Sequence, residues 1–400
     1  MSPSDDTPAA PLSGVTVVDL SRYLPGPFAA HLLASLGARV LKVEEPTLGD
    51  PVRFAPPFVG GRSALAAPLL AGVESVALDL KKPAARAVLE DLLEDADVLL
   101  ESSRPGTLAR WGLEPETLRR RFPRLVICSL SGWGQDGPVA GRSGHDLTYQ
   151  AVAGTLAPTA TMPAHPWADL VGGWSMCGSV LAALVERGRT GAGTWIDAAL
   201  FDAAVHANLL GWAGDADRPR AAGEPLTLSG ALPCYDLYRT ADGGYLALAL
   251  LEPHFWQRFC DALGRKDLRR RHLDRSSATR RDLARLVAAR SREQWATFMA
   301  EHDLPGEPVL SAAEASRHPQ LLARGVLRRG ADGLPRLAFP ARFDGHRPRA
   351  GDQMPELGAS TSAVLAEYGA DGARKGRKSG VGARFSLKRW WMRRLAGRSA

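Results

Sequence analysis

The chain has 400 residues, 45% hydrophobic and 23% charged, which is typical of a soluble globular protein of two or three domains. Its net charge of +7 comes from residues 371–400, where ten Lys or Arg stand against one Asp, so that residues 1–370 sum to −2 and nucleic-acid binding is not expected. The polar, acidic start excludes a signal peptide, and the lack of a long unbroken apolar run argues against a membrane span.

The number and spacing of the cysteines indicate the cellular compartment and whether a metal site is expected. The four cysteines stand singly, with no CxxC spacing, at Cys128, Cys177, Cys234 and Cys260. This pattern argues against a zinc site or a disulfide framework and fits the reducing cytosol. We therefore expect a cytoplasmic protein without a metal or a prosthetic group.

The first half of the chain alternates strand and helix patterns. Residues 14–21 and 40–44 are predicted strands on either side of a helix at 28–36, which together form a βαβ unit. No G-x-G-x-x-G fingerprint is present, so the pattern only weakly suggests a dinucleotide site. The alternation continues to residue 212 and predicts a large α/β domain over residues 1–212, with ligands beyond the carboxyl ends of its parallel strands.

The composition changes after residue 212. Gly, Ala, Pro and Arg dominate residues 213–230, which we interpret as a linker. Two strand-like runs around Ala241–Gly244 then predict a hairpin, and Arg-rich helices follow. We therefore predict a smaller α+β domain at residues 231–303 and a return segment to the large domain at residues 304–370.

The stretch from Ser131 to Gly173 is the strongest candidate for a site, because glycines cluster there around proton-transfer groups. His145 can transfer protons near neutral pH, and Asp169 lies just ahead of Gly172-Gly173, which could open a helix. Simpler interpretations stay open at this point: His145 could be a solvated loop residue and Asp169 a helix cap. Glu252 ahead of Pro253 could be an ordinary acidic helix start.

Nine motifs in order along the chain carry a resemblance to a known family. They are Gly14–Ser21 with Leu24–Phe28, Leu36–Glu44, Gly49–Pro51, Val76–Lys81, Ser103–Gly106, Pro123–Pro138, Gly144–Asp146, Tyr235–Gly244 and Leu251–Phe255. On these motifs the chain resembles the family III coenzyme A transferase (CaiB/BaiF) superfamily, and within it the α-methylacyl-CoA racemase branch. The resemblance implies a Rossmann-like large domain, a small domain and an interlocked homodimer.

The resemblance also implies roles for five residues. His145 and Asp169 match the two acid/base groups that face opposite sides of the α-carbon, and Glu252 matches an acid that holds the histidine. Arg104 matches a residue near the adenine and phosphates of coenzyme A, and Lys42 is a second predicted contact. Coenzyme A then belongs to the acyl-CoA substrate, and the N–H groups at Gly172-Gly173 would stabilise the enolate oxygen.

The racemase branch implies epimerisation at the α-carbon of an acyl-CoA, and two other functions are alternatives to it. In a transferase that moves coenzyme A between acids, Asp169 would be a nucleophile and no facing histidine would be needed, so His145 and Glu252 favour the epimerase. Where the family carries polar and basic groups, residues 70–74 are Leu-Ala-Gly-Val-Glu, and Glu45 replaces a frequent base. This departure predicts weaker coenzyme A binding, a thioester on a carrier protein, or a non-catalytic acyl-CoA or carrier-protein scaffold.

The basic tail at residues 371–400 is a separate feature. Leu387, Trp391 and Leu395 recur at helical spacing among basic residues, which is typical of a helix on an anionic membrane or on a partner. The alternative is a disordered, solubilising tail.

Overall fold

The computed structural model of the protein describes residues 10–157, 161–214 and 227–368. The basic tail and residues 215–226, most of the predicted linker, lie outside the described residues. The described residues group into two compact units. The large unit holds residues up to 153, residues 165–207 and residues from 324 onward, and the small unit holds residues 154–164 and 208–323.

The large unit is built on a parallel sheet. Its strands up to residue 207 are β1 (Thr16–Asp19), β2 (Arg39–Glu44), β3 (Phe58–Val59), β4 (Arg62–Ser63), β5 (Glu74–Ala77), β6 (Val98–Glu101), β7 (Val126–Ser131) and β8 (Trp195–Ala199). Among the described residues, six of them form a sheet in the order β5-β2-β1-β6-β7-β8, and every neighbouring pair is parallel. The order reverses between β1 and β6, which is where open α/β sheets bind ligands at the carboxyl ends of their strands.

Helices cover both faces of this sheet. They are α1 (Pro25–Ser35), α2 (Ala66–Leu70), α3 (Pro83–Asp95), α4 (Pro115–Arg121), α5 (Asp146–Val152), α6 (Trp167–Thr190) and α7 (Leu200–Ala207). Successive strand residues point to opposite faces: Val17 packs in the core with α1 and α6, whereas Val18 packs in the core with α3 and α4. Burial on both faces explains why these strands are runs of Val, Leu and Ile, and the predicted α/β fold is confirmed.

Helix α6 is the longest described helix and packs in the core of the large unit. By length and mean hydropathy it is the one described helix that could cross a membrane. Met176, Cys177 and Val180 are nevertheless buried in the same core as α1, which is the arrangement of a core helix. Close packing requires glycine: a Cβ on Gly172 would come within 2.5 Å of Leu200, and one on Gly173 within 2.8 Å of Pro25 O.

The small unit is an α+β structure with its own core. Its elements from residue 208, ending at the unit boundary, are α8 (Leu209–Gly214), β9 (Tyr235–Arg239), β10 (Tyr245–Ala249), α9 (Pro253–Ala262), α10 (Ser277–Val287), α11 (Arg292–Glu301), β11 (Gly306–Pro308), α12 (Ala312–Ala315) and α13 (Pro319–Arg324). Strands β9 and β10 form the predicted hairpin, with Arg239 opposite Tyr245. Trp256, Phe259 and Trp295 fill the core behind it.

The return to the large unit begins later than residue 304, where we predicted it. Strand β11 pairs antiparallel with β10, with Gly306 opposite Leu248, so this segment completes the small sheet before the chain leaves it. From Arg324 the chain belongs to the large unit. There it forms the hairpin β12 (Leu327–Arg329) and β13 (Pro335–Leu337) and the helix α14 (Thr361–Tyr368).

The glycine packing of α6 makes a stability prediction. We expect Gly173→Ala to lower the free energy of unfolding by about 1–3 kcal/mol, because the new methyl group meets backbone that cannot move cheaply. Gly188→Ala on the same helix is the matched control, since its Cβ meets nothing within 4 Å, and it should stabilise by about 0.5 kcal/mol. Urea unfolding measures both, and equal effects of the two substitutions would contradict the packing argument.

Candidate active site

The glycine-rich stretch begins where β7 ends, at the carboxyl edge of the sheet. Tyr149 on α5 lies against this stretch, and a Cβ on either Gly132 or Gly144 would overlap its ring or its hydroxyl group. The Tyr149 ring also packs edge-on against Trp133, with 4.9 Å between the ring centroids. Two of the predicted site glycines therefore make room for one buried aromatic ring, which fixes the start of α5.

His145 immediately precedes α5 and is exposed to solvent. Its backbone N–H donates to Thr148 Oγ1 at 3.0 Å, and Thr148 Oγ1 donates back to the His145 carbonyl at 2.7 Å. These bonds fix the backbone of His145 at the start of α5.

Asp146, the next residue, joins α5 to α6. Its Oδ1 accepts hydrogen bonds from the backbone N–H groups of Ala168 and Asp169, at 2.8 and 3.2 Å. Its Oδ2 accepts from Gln150 Nε2 at 2.7 Å. A carboxylate is well placed there, because the first N–H groups of a helix have no partner within the helix. His145 and Asp169 are thereby held at the beginnings of two helices that share one carboxylate.

Asp169 lies in the first turn of α6 and is partly buried. No described residue donates a hydrogen bond to its carboxyl group. Burial, and then the negative charge of Asp146, raise the pKa of Asp169 to about 7. A carboxyl group near half ionisation at neutral pH can both accept and donate a proton, which is the property that proton-transfer catalysis requires.

The structure corrects the predicted role of Gly172-Gly173. The helix begins at Trp167 rather than at Gly172, so both glycines lie in its second turn. There each N–H bonds to the carbonyl four residues earlier, and neither is available to an enolate oxygen. The glycines serve helix packing. Asp169 is likewise not the cap of α6, because Asp146 caps the helix.

Arg104 lies near Tyr149. Burial and the charge of Asp169 raise the pKa of Tyr149, whereas the positive charge of Arg104 opposes that rise. Arg104 is exposed, and its Nη2 donates to Ser143 Oγ, within the glycine-rich stretch, at 3.0 Å. An exposed guanidinium beside the candidate site is suitably placed for an anionic group of a substrate.

Lys42 occupies a different environment from the one predicted. Its side chain is 1% exposed, and its Nζ lies 3.1 Å from Asp19 Oδ2, 3.0 Å from Asp50 Oδ2 and 2.8 Å from the Ser21 carbonyl. Burial alone would lower the pKa of Lys42, but the two carboxylates outweigh burial and raise it. This geometry gives Lys42 a structural role that ties β1, β2 and the loop at Asp50 together, and its contact with coenzyme A stays a prediction.

The unusual residues 70–74 belong to the core of the large unit. Leu70, Ala71 and Val73 are buried, and Glu74 forms an ion pair with Arg39 at 2.7 Å. The return segment packs directly on this loop, where the Gly72 N–H donates to the Gln353 carbonyl at 3.0 Å. Basic side chains at the buried positions would lose their hydration, which explains the apolar sequence here.

Glu252 lies in the small unit, exposed, at the N-terminus of α9. Its carbonyl accepts from the N–H groups of Phe255 and Trp256, as expected for an ordinary helix start with Pro253 in the first turn. The large unit therefore brings together His145, Asp169 and Arg104, and the partnership of Glu252 with His145 stays a prediction. Among the described residues, no group of three or more His, Cys, Asp or Glu side chains could hold a metal ion.

Comparison with known proteins decides the family. The family described as CoA-transferase family III matches residues 12–361. The chain belongs to this family. It is 32% identical to the α-methylacyl-CoA racemase of Homo sapiens, over 90% of this chain and 93% of that protein. It is 30% identical to the acetyl-CoA:oxalate CoA-transferase of Acetobacter aceti, over 92% and 98%. The resemblance stated from the motifs is confirmed at the level of the family.

Solved structures agree with this assignment. A CaiB/BaiF family protein from Brucella suis superposes with a TM-score of 0.79 at 29% identity, over 90% of this chain and all of that one. The racemase and the transferase are about equally similar to this chain, so family membership leaves open which of the two reactions it catalyses.

Asp146 and Tyr149 were not among the predicted site residues. Asp146 stands in the Gly-His-Asp motif, and its three-residue spacing from Tyr149 places both on α5. The sequence does not reveal that Asp146 hydrogen-bonds to the start of α6, 22 residues away, or that two glycines leave space for Tyr149.

The charge of Asp146 should control the ionisation of Asp169. We expect Asp146→Asn to lower the pKa of Asp169 below its value of about 7, since the neutral amide removes the nearby negative charge but can still accept from both N–H groups. NMR titration of carbon-13-labelled Asp side chains measures this shift. Asp136→Asn, an exposed acid in the same stretch, is the control. An unchanged Asp169 pKa in Asp146→Asn would contradict the electrostatic coupling.

The role of Lys42 can be tested by stability. We expect Lys42→Met to lower the free energy of unfolding by about 3–5 kcal/mol, because it leaves two buried carboxylates without a counter-ion. Arg39→Met, on the same strand but in half-exposed ion pairs, should cost about 1 kcal/mol. If Lys42→Met weakened coenzyme A binding while urea unfolding stayed unchanged, Lys42 would instead be a ligand contact.

Proposed function

We propose that the protein is an acyl-CoA epimerase that inverts the α-carbon of a 2-methylacyl-CoA thioester by two-base proton transfer. The observation that carries this proposal is the pairing of His145 and Asp169 at the starts of α5 and α6, held together by Asp146. Epimerisation needs two acid/base groups facing one carbon, and the joined helix starts support giving these roles to His145 and Asp169.

The proposed reaction has two proton transfers and no net change in the protonation of the substrate. In one direction the Asp169 carboxylate removes the α-proton, and the electron pair of the C–H bond passes into the enolate of the thioester. The imidazolium of His145 then donates its proton to the opposite face of the α-carbon, and the thioester carbonyl re-forms. Asp169 ends protonated and His145 neutral, which is the state required for the reverse direction.

The ionisation of Asp169 supports this role. A carboxyl group with a pKa near 7 is a stronger base than an ordinary aspartate, and about half of it is ionised at neutral pH. Arg104 lies near Tyr149 and is exposed, which suits contact with the phosphates of coenzyme A. Coenzyme A is thus part of the substrate, and the proposed proton transfers use only side chains of this chain.

A second candidate is transfer of coenzyme A between carboxylic acids. It is supported by the Asp169 carboxyl, which accepts no hydrogen bond from a described residue, and by the transferase relative. Asp169 would attack the thioester carbonyl and release coenzyme A as a thiolate, leaving an acyl–Asp169 anhydride. The thiolate would then attack the Asp169 carbonyl of the anhydride, forming an Asp169 thioester and releasing the first acid. The acceptor carboxylate would attack this thioester and expel the thiolate, giving a second anhydride. Attack of the thiolate on the acceptor's acyl carbonyl would form the new acyl-CoA and release the Asp169 carboxylate. This chemistry gives His145 no part, which is why we place it second.

Proton exchange in D₂O separates the candidates. We expect wild-type protein to replace the α-proton of a 2-methylacyl-CoA with deuterium and to scramble the stereocentre, as followed by NMR. His145→Ala and Asp169→Ala should each lower the rate of epimerisation by about 10²-fold or more, because each removes one of the two proton-transfer groups. His318→Ala, at an exposed histidine of the small unit, is the matched control and should keep the wild-type rate.

The other outcomes identify the alternatives. Passage of coenzyme A to an added carboxylic acid, lost in Asp169→Ala but retained in His145→Ala, would establish the transferase. If neither proton exchange nor coenzyme A transfer occurred but the thioester bound tightly, a non-catalytic scaffold would be favoured. The same two assays with an acyl carrier protein thioester test whether the substrate is carried on a protein. The interlocked homodimer and the cytoplasmic location, expected from the resemblance and from the cysteines, stay predictions beside this proposal.

A further inference from the structure

The net charge of residues 1–370 is close to zero, but the small unit contains a strongly basic segment. Residues 258–292 contain twelve Lys or Arg side chains and four Asp, a net charge of +8. The other residues up to 370 therefore sum to −10. The positive charge of residues 1–370 is therefore concentrated in the segment from α9 to the start of α11.

The four acids of this segment are already in ion pairs with its arginines. Asp267 pairs with Arg265 at 2.7 Å, Asp282 with Arg271 at 2.7 Å, Asp274 with Arg271 at 3.8 Å, and Asp261 with Arg269. Four further bases are exposed, and no carboxylate of a described residue pairs with them: Lys266, Arg270, Arg275 and Arg281. Arg285, with its side chain 79% exposed, shares only the already paired Asp282, at 3.7 Å.

Other residues of the same segment line an open cleft of about 460 Å³ beside α10 and α11. Leu263, Leu286 and Ala289 form its apolar lining. Its charged lining is three arginines, Arg265, Arg285 and Arg290, against one acid, Asp282. The guanidinium of Arg290 lies 5.0 Å from the ring centroid of Trp295 and 4.7 Å from that of Phe298, which orients it without a carboxylate partner in the described chain. Leu273, between two of the basic positions, is also exposed.

We infer that this surface, the cleft at Arg285 and Arg290 together with the exposed bases of the same segment, docks an acidic protein segment that carries an apolar anchoring side chain. Guanidinium groups match carboxylates with paired hydrogen bonds, and the apolar lining between them accepts an aliphatic side chain. The charge extends over two helical elements, well beyond the cleft, which suits a protein surface better than a small ligand.

Other occupants fit this surface less well. The basic tail of the chain carries like charge and is repelled. Single-stranded nucleic acid needs exposed aromatic rings for stacking, but Trp295 and Phe298 are buried beneath Arg290. An acidic face of a second copy of the chain has the right sign, and the experiment treats it as a separate outcome.

Charge reversal with a matched control tests the inference. The probe is a fluorescein-labelled helical peptide with Glu residues flanking a row of Leu, followed by fluorescence anisotropy with the full chain. We expect binding that weakens with added salt and that falls by about tenfold or more in Arg281→Glu/Arg285→Glu. The control is Arg119→Glu/Arg120→Glu on α4, two exposed arginines of the large unit with the same change in charge, and it should change affinity by less than about twofold.

Further probes distinguish an acidic peptide from the other possible ligands of this surface. A peptide with Ser in place of Leu should bind about threefold or more weakly, because it lacks the anchor for the cleft. Equal losses in both double variants, or no peptide binding at low salt, would overturn the inference. Tighter binding of a single-stranded oligonucleotide, lost in Arg281→Glu/Arg285→Glu, would assign the surface to nucleic acid instead. Self-association of the wild-type chain in sedimentation, lost in the same variant, would assign the surface to a second copy of the chain. The thioester proton exchange of both variants should match wild type, so this test and that of the proposed function fail independently.

Discussion

The candidate site depends on one carboxylate, that of Asp146. It accepts hydrogen bonds from the two backbone N–H groups that begin α6, while its own residue begins α5. Because helix N-termini carry partial positive charge, this acid stabilises both the helix start and the contact between the two helices. The same negative charge disfavours ionisation of Asp169 and helps to hold its pKa near 7. One side chain thus holds the starts of both helices and adds to the effect of burial on the pKa of Asp169.

Tight packing of α5 and α6, the two helices that Asp146 joins, explains much of the glycine pattern. Gly132 and Gly144 leave room for Tyr149, and Gly172 and Gly173 let α6 approach α7 and α1. A site that moves a proton needs its groups held within a fraction of an ångström, and packed backbone gives that rigidity. The glycines of this stretch therefore contribute packing, and the proposed chemistry uses His145 and Asp169 of the same stretch together with Arg104.

Charge is used differently in the two units. In the large unit, opposite charges are buried together, as in the Lys42 cluster and the Arg53–Glu44 pair at 2.7 Å, where they tie strands to loops. In the small unit, exposed bases outnumber acids between residues 258 and 292 and leave a positive surface. Buried pairs specify the fold, whereas an unpaired surface field attracts a partner of opposite charge from solution.

The amino-acid sequence predicted the fold class and the hairpin at Ala241–Gly244 from hydrophobic periodicity and turn residues, which are local properties of the chain. The resemblance carried by its ordered motifs indicated the family and supplied Arg104 as a site candidate beside His145 and Asp169. Tertiary structure decided the rest: that α6 begins at Trp167, that Lys42 is buried, and that Asp146 caps a helix 22 residues away. It also placed β11 in the small sheet. Each of these depends on contacts between distant segments, and burial and capping by a distant residue leave no periodic signal in the sequence.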